Sequence, residues 1–277
     1  MPTLQPMVAT SSNRSSPLDP VLRKVRLAWV LVTVGIYTVL APFGYAGLWL
    51  LCVLWRSDPP RRARRLQTIT SRAYRLMHGW LTLTRVVSFR WREAASQLPA
   101  GGCVVIANHP TLVDVTAVTA ALGGAISIVK PGLYRRTMIR PLMVGLGHVE
   151  GPGADPIRAG RVVDDIVDRL SWGVPVVIFP EGTRSPPGCL APFGRVAFEA
   201  ARRAGVPLVS LGIRCEPLYL SKEVPPYRPP HPMPELTVEV LATTQPDKSS
   251  ESRALRDEAV QRYSVWLKRI AADNPPS

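Results

Sequence analysis

Between Leu27 and Trp55 the chain carries 29 consecutive residues without a charge. A bilayer-spanning helix needs only ~20 apolar residues, so this run is long enough to enter a membrane. It starts too late and runs too long for the apolar core of a cleavable leader. Pro42, Phe43 and Gly44 interrupt its middle, and both flanks are basic: Arg23, Lys24 and Arg26 before it, Arg56, Arg61, Arg62, Arg64 and Arg65 after it. Basic flanks favour the cytoplasmic side, and equal bias at both ends sits awkwardly with one crossing. Two half-helices of roughly 21 Å each, meeting at Pro42–Gly44 with both ends on one face, remove the conflict. A re-entrant hairpin is therefore the leading expectation. A single kinked span and a buried helix of a soluble domain are the alternatives.

The formal net charge is +14, and its distribution is uneven. Residues 1–92 hold 14 basic residues against 2 acidic, a net of +12, whereas residues 93–277 hold 20 against 18. The positive field thus belongs to the N-terminal third. Residues 1–20 are rich in Ser, Pro and Asn without apolar periodicity, as a disordered tail is. After Asp58-Pro59-Pro60, apolar residues recur at Leu66, Ile69, Ala73, Leu76, Met77 and Trp80, with Arg61, Arg64, Arg72 and Arg75 opposite. At ~100° per residue this is a basic amphipathic helix. It reads either as an element lying on an anionic membrane surface or as a helix packed on the domain with its arginines in water. No groove-reading motif accompanies the arginines, so nucleic acid ranks well behind a membrane surface and is not expected as a partner.

From Trp91 onward the pattern alternates. Strands are expected at Cys103–Ala107, Ile126–Val129, Val174–Phe179, Leu208–Ile213 and Leu236–Leu241, and helices at Thr111–Leu122, Ile157–Leu170, Arg195–Ala204 and Ser252–Ala271. Such alternation implies an α/β fold, a mostly parallel mixed sheet with helices on both faces. The proline-rich stretch 225–234 reads as a loop. Cys52, Cys103, Cys189 and Cys215 have no metal-ligand spacing, which implies a reducing compartment and no structural zinc.

Two motifs carry chemistry. The first is Ala107-Asn108-His109-Pro110-Thr111-Leu112-Val113-Asp114, placed directly after a strand. Pro110 suits the first residue of a helix and keeps His109 outside it. Helical side chains lean toward the N-terminus, so the Asp114 carboxylate, just over a turn inside, reaches back to the imidazole. A carboxylate on one ring nitrogen leaves the other free to take a proton. The second motif is Pro180-Glu181-Gly182-Thr183-Arg184-Ser185, following the apolar Val176–Phe179. A polar, glycine-bearing turn at a strand's carboxyl end is where open α/β sheets bind ligands. Glu181 supplies an acceptor and Arg184 a forked cation.

Together, His109-x4-Asp114 and Phe179-Pro-Glu-Gly-Thr-Arg-Ser185 resemble the glycerolipid acyltransferase family that includes 1-acylglycerol-3-phosphate acyltransferases, over roughly residues 91–245. The resemblance implies that His109 is the general base on the acceptor hydroxyl and that Asp114 orients it. It implies that Glu181, Gly182, Thr183 and Arg184 bind the acceptor, with Lys130 contacting phosphate. The family's second-motif arginine has no counterpart in Gly147–Gly153, which leaves Lys130 and Arg184 to hold a phosphate, with Arg158 or Arg161 as candidate substitutes for the missing cation. Acyl-CoA or acyl carrier protein is the implied donor, a lysolipid the acceptor and membrane phospholipids the surroundings; no cofactor and no metal are implied. A thioesterase acting on water and a non-catalytic lipid-binding protein are the rival readings. The expected organisation is a tail (1–20), a membrane-embedded helix or hairpin (21–56) and a basic amphipathic segment (57–90). An acyltransferase domain (91–245) and a C-terminal helix (246–277) follow, on the cytoplasmic side of the cell inner membrane.

Overall fold

The computed structural model describes residues 20–273 apart from residues 56, 154, 187 and 248. The expected tail and Arg56 lie outside these described residues. The chain begins with α1 (Pro20–Leu54) and α2 (Pro59–Leu83), then β1 (Ser88–Arg90), α3 (Arg92–Ser96), β2 (Val104–Ala107) and α4 (Asp114–Leu122). It continues with β3 (Ile126–Val129), α5 (Pro131–Tyr134), α6 (Arg140–Gly145), β4 (Val149–Glu150), α7 (Pro156–Ser171) and β5 (Val176–Ile178). The last elements are α8 (Val196–Ala204), β6 (Leu208–Glu216), β7 (Glu235–Thr244) and α9 (Ser252–Asp273).

One seven-stranded sheet has the order β1-β7-β6-β2-β5-β3-β4. Every neighbouring pair is parallel except β6–β7, which makes the sheet mixed. Strand β2 shows why the layers form. Cys103, Val105 and Ala107 point into a core completed by Ala117, Val118 and Ala120 of α4, while Val104 and Ile106 point into a second core with Ile166 of α7, Phe198 of α8 and Tyr263 of α9. A strand apolar on both faces demands helices on both sides. The sheet takes in β1, ahead of the expected boundary at residue 91, and α9 fills the second core rather than standing apart.

The Tyr263 hydroxyl of α9 lies 2.7 Å from the Leu211 carbonyl and 3.0 Å from that of Ile106. Beside it, Gly212 lets the Trp266 ring lie directly on β6: a Cβ at Gly212 would fall 2.5 Å from a ring carbon. Trp266 is held in place by its Nε1–H, which donates to Glu239 at 2.6 Å. Gly212→Ala should therefore cost ~1–3 kcal/mol by overpacking, which at ~2–4 °C per kcal/mol lowers the unfolding midpoint by several degrees. An unchanged midpoint in a thermal melt would show that α9 gives way freely.

Three expectations about the N-terminal third need correction. The turn at Pro42–Gly44 is absent: α1 is one helix of 35 residues with Pro42 inside it. Proline costs about 3 kcal/mol in a helix interior by removing one donor and crowding the preceding turn, a modest loss against so long a ladder of backbone bonds. The helix touches the domain near its two ends. Val30 and Thr33 are buried at one, where Trp29 Nε1 donates to the Thr84 carbonyl at 2.8 Å; at the other Cys52 joins Leu66, Leu142 and Leu146. Residues 36–44 between them are exposed throughout. Helix α2 runs antiparallel to α1, capped by the Asp58 side chain on the Arg61 amide.

The buried stripe of α2 is not its most apolar one. Ala63, Leu66, Gln67, Thr70, Ser71, His78 and Leu81 face inward, while Leu76, Trp80 and Leu83 are exposed. Two polar members of that stripe, Gln67 and His78, find specific partners, whereas the Thr70 and Ser71 hydroxyls are buried without one. Gln67 bridges the Leu146 carbonyl and the Ala125 amide, and His78 Nε2 pairs with Thr116 Oγ1. Arg75, expected in water, donates twice to the Ala120 carbonyl near the end of α4. The apolar residues left outside on α2 add to the long exposed row on α1, which includes Val32, Val39, Leu40 and Phe43.

Candidate active site

The parallel strands β2, β5, β3 and β4 lie side by side, so their carboxyl ends share one edge of the sheet. His109 follows β2, Glu181–Arg184 follow β5, and Lys130 follows β3. At ~4.8 Å per strand, Lys130 leaves the sheet about 10 Å from His109, with the β5 loop between them.

His109 is fixed from several directions. Its Nδ1 lies 2.7 Å from Asp114 Oδ2, and Asp114 is fully buried. The same Oδ2 accepts the Thr111 amide at 2.7 Å, and the Thr111 hydroxyl donates to Oδ1. Burial pushes the Asp114 carboxyl above its ordinary range, and the bonds from His109 and Thr111 pull it back. An acceptor facing Nδ1 assigns the ring proton there and leaves Nε2 as the lone-pair nitrogen. The imidazole side chain is 20% exposed and has no described protein partner on Nε2. The Phe179 ring lies 4.4 Å from it at 32°.

The turn before α4 differs from the expected helix. Asp114 is the first residue of α4, so Pro110–Val113 form a turn rather than its opening residues. The amides that a first helical turn would leave unpaired are taken elsewhere: Thr111 by Asp114, and Leu112 by the Leu220 carbonyl. Asn108 ties the start of the same turn to β6, donating to the Ile213 carbonyl and accepting its amide.

Glu181 faces inward. Its Oε1 accepts the Ser185 hydroxyl at 2.5 Å and the His109 amide at 3.3 Å, and its Oε2 accepts the Ala191 amide at 2.7 Å. Ser185 adds a backbone bond from its amide to the His109 carbonyl, and its hydroxyl accepts the His109 amide. The β5 loop is thereby laced to the histidine peptide. Gly182 adopts φ +65°, a conformation that favours glycine, and is exposed with Thr183. Lys222 donates to Thr183 Oγ1 at 3.1 Å and to the Arg184 carbonyl at 3.0 Å, which holds the loop from outside. Sequence reasoning missed Asn108 and Lys222. A polar residue ending an apolar strand marks Asn108 in retrospect; nothing local marks Lys222, which reaches the site only through the fold. A small cleft of about 90 Å³ opens between Pro110, Ser185 and Lys222.

Lys130 is exposed, at the residue before α5. In the stretch that lacks an arginine, Glu150 instead gathers Arg135 at 2.7 Å and Arg158 at 3.0 Å. His148 is half-buried and accepts the Ser127 amide at 2.9 Å; desolvation lowers its pKa to about 4, so it stays neutral at pH 7.

A His–Asp pair after β2 and a Glu-Gly-Thr-Arg loop after β5 thus meet at the carboxyl edge of a mixed α/β sheet. Residues 88–214 match the family model described as Acyltransferase. The chain is 31% identical over 109 residues to a chloroplastic 1-acyl-sn-glycerol-3-phosphate acyltransferase of Brassica napus, covering 39% of this chain and 32% of that protein. With a counterpart from Arabidopsis thaliana the identity is 30% over 122 residues, 43% of this chain and 34% of the relative. The chain thus spans about a third of the length of these relatives. Its fold is shared with the crystal structure of the 1-acyl-sn-glycerophosphate (LPA) acyltransferase PlsC from Thermotoga maritima. That match has a TM-score of 0.66 at 21% identity, over 90% of this chain and 98% of the other.

Proposed function

We propose that this protein is a membrane-associated O-acyltransferase that esterifies the free hydroxyl of 1-acylglycerol-3-phosphate or a closely related lysolipid. The observation that carries this reading is His109, with Nδ1 pinned by a buried carboxylate and Nε2 unpaired at the edge of the sheet. In the proposed step Nε2 takes the acceptor's hydroxyl proton as the oxygen attacks the thioester carbonyl. The tetrahedral adduct collapses, the C–S bond breaks, and the imidazolium returns the proton to the departing thiolate. An ester and a free thiol result, the thiol being coenzyme A or acyl carrier protein. Asp114 supports the transient imidazolium, and Arg184 and Lys130 supply the charge for a phosphate. The names of the plant relatives favour a glycerophosphate acceptor.

The exposed apolar length of α1 supports membrane association, since it is long and apolar enough to cross a bilayer and 11% buried in its apolar window. A patch of this size in water would be an aggregation liability. The basic residues that flank it favour the cytoplasmic side of the cell inner membrane. The test is an assay of the purified full chain that crosses acyl-CoA and acyl carrier protein donors with lysophosphatidate and uncharged hydroxyl lipids. Lys130→Ala and Arg184→Ala should each raise KM for lysophosphatidate by roughly 10–150-fold, the worth of one charge-assisted contact. They should leave KM for the thioester unchanged. Thiol release that proceeds equally without any acceptor would instead identify a hydrolase.

A further inference from the structure

A second cavity, of about 500 Å³, lies apart from the His109 site and shares no lining residue with it. It opens where the end of α1 (Cys52, Val53), the start of α2 (Arg62) and the α5–α6 segment (Arg135, Arg140, Val144) converge. Three arginines line one hollow, and their charges are unequally compensated. Arg135 is committed to Glu150 at 2.7 Å. Among the described residues neither Arg62 nor Arg140 has a carboxylate within ion-pair distance. The Nε of Arg62 is moreover buried without any hydrogen-bond partner. A guanidinium N–H withdrawn from water with nothing to donate to is costly, and an anion in the hollow would relieve it.

The surroundings narrow the kind of anion. Val53 and Val144 in its wall are 53% and 48% exposed, and Leu54 and Met138, which follow the lining residues Val53 and Thr137 in the chain, are 62% and 78% exposed. Trp55 lies nearby under the Arg65 guanidinium, 5.6 Å from its ring centre. A cationic hollow with an apolar border suits an amphiphile better than a soluble ion. It also sits where an apolar helix gives way to a basic one, the depth at which lipid phosphates lie beside a membrane-embedded segment.

We propose that this cavity binds the phosphate of an anionic membrane phospholipid headgroup, seating the α1–α2 junction on the lipid surface. The proposal rests on the reading of α1 as membrane-embedded. It assigns Arg62 and Arg140 as the ligating cations, with Arg135 held at the wall by Glu150.

The experiment compares partition of the full chain onto vesicles of phosphatidylcholine alone and of phosphatidylcholine mixed with phosphatidylglycerol. The R62Q/R140Q variant is set beside an R253Q/K268Q control that removes equal charge from α9. The wild type should prefer the mixed vesicles. R62Q/R140Q should lose that preference by about 10–30-fold, the worth of two basic residues at an anionic surface. It should still bind phosphatidylcholine and keep its KM for lysophosphatidate in detergent micelles, which also shows that it folds. A preference retained by R62Q/R140Q, or lost equally in the control, would overturn the site. A KM for lysophosphatidate that rises with the loss would reassign the cavity to the acceptor, and competition by inorganic phosphate alone would reassign it to a free anion. If the wild type ignores phosphatidylcholine vesicles, the embedding of α1 fails while the phosphatidylglycerol preference can still be read.

Discussion

His109→Ala should lower acyl transfer by about 10²–10⁴-fold, the contribution of a positioned general base, with the unfolding midpoint little changed. The side chain is partly exposed and, among the described residues, its one polar side-chain bond is to Asp114, so truncation leaves no large core cavity. Asp114→Asn should act differently. The Asn carboxamide can keep its oxygen on the Thr111 amide and His109 Nδ1 while its NH₂ donates to the Thr111 hydroxyl, a rotor that can turn to accept. Ring orientation and tautomer then survive, and what disappears is the negative charge beneath a developing imidazolium. Exchanging a charged for a neutral hydrogen bond is worth ~1–1.5 kcal/mol, so transfer should fall about 5–12-fold. Single-turnover measurements with saturating lysophosphatidate separate the two. A His109→Ala protein with wild-type turnover would end the general-base assignment, and an Asp114→Asn protein as inactive as His109→Ala would mean that the carboxylate fixes the tautomer.

How much of this was readable in the residues depends on the range of the interaction involved. Five strands and the four longer domain helices announce themselves through local apolar runs or periodicity, because each buries a face of its own sequence; even β5, three residues long, sits in the apolar run Val174–Phe179. Strands β1 and β4 span three and two residues without such a run. They exist because β7 and β3 offer edges for them to pair with. Helix α2 shows the converse failure. Its apolar periodicity marks a face only part of which packs inward: Leu66 is buried while Ala73, Leu76 and Trp80 stay outside, because Gln67 and His78 find partners in loops and helices far along the chain. The proline in α1 marks a break that the surrounding apolar helix overrides. At the site, the His–Asp spacing conveys the pairing, whereas the start of α4 depends on Leu220 taking the Leu112 amide. Glu181 was the least legible residue of all: its sequence neighbourhood suggests an exposed ligand, and its partners come from 72 residues upstream and from further along its own loop.

That inward orientation makes Glu181→Gln the most discriminating substitution in the loop. The carboxylate receives three donors: the His109 amide and the Ser185 hydroxyl on one oxygen, and the Ala191 amide on the other. A glutamine amide has a single acceptor oxygen. With its NH₂ toward Ala191 that amide loses its acceptor; turned the other way, the NH₂ crowds the His109 amide, which keeps the Ser185 hydroxyl alone. A buried donor left unpaired or crowded costs ~1–3 kcal/mol, enough to lower the unfolding midpoint by several degrees at ~2–4 °C per kcal/mol. The functional consequence follows from where the strain falls. A shift of the His109 peptide by about 1 Å can cost ~10² in rate, so kcat should drop by up to that factor while KM for the lysolipid changes little. A residue that binds the acceptor directly would give the reverse, a raised KM with an unchanged melting temperature. Measuring kcat, KM and the thermal midpoint on one Glu181→Gln preparation therefore decides between a positioning residue and an acceptor ligand.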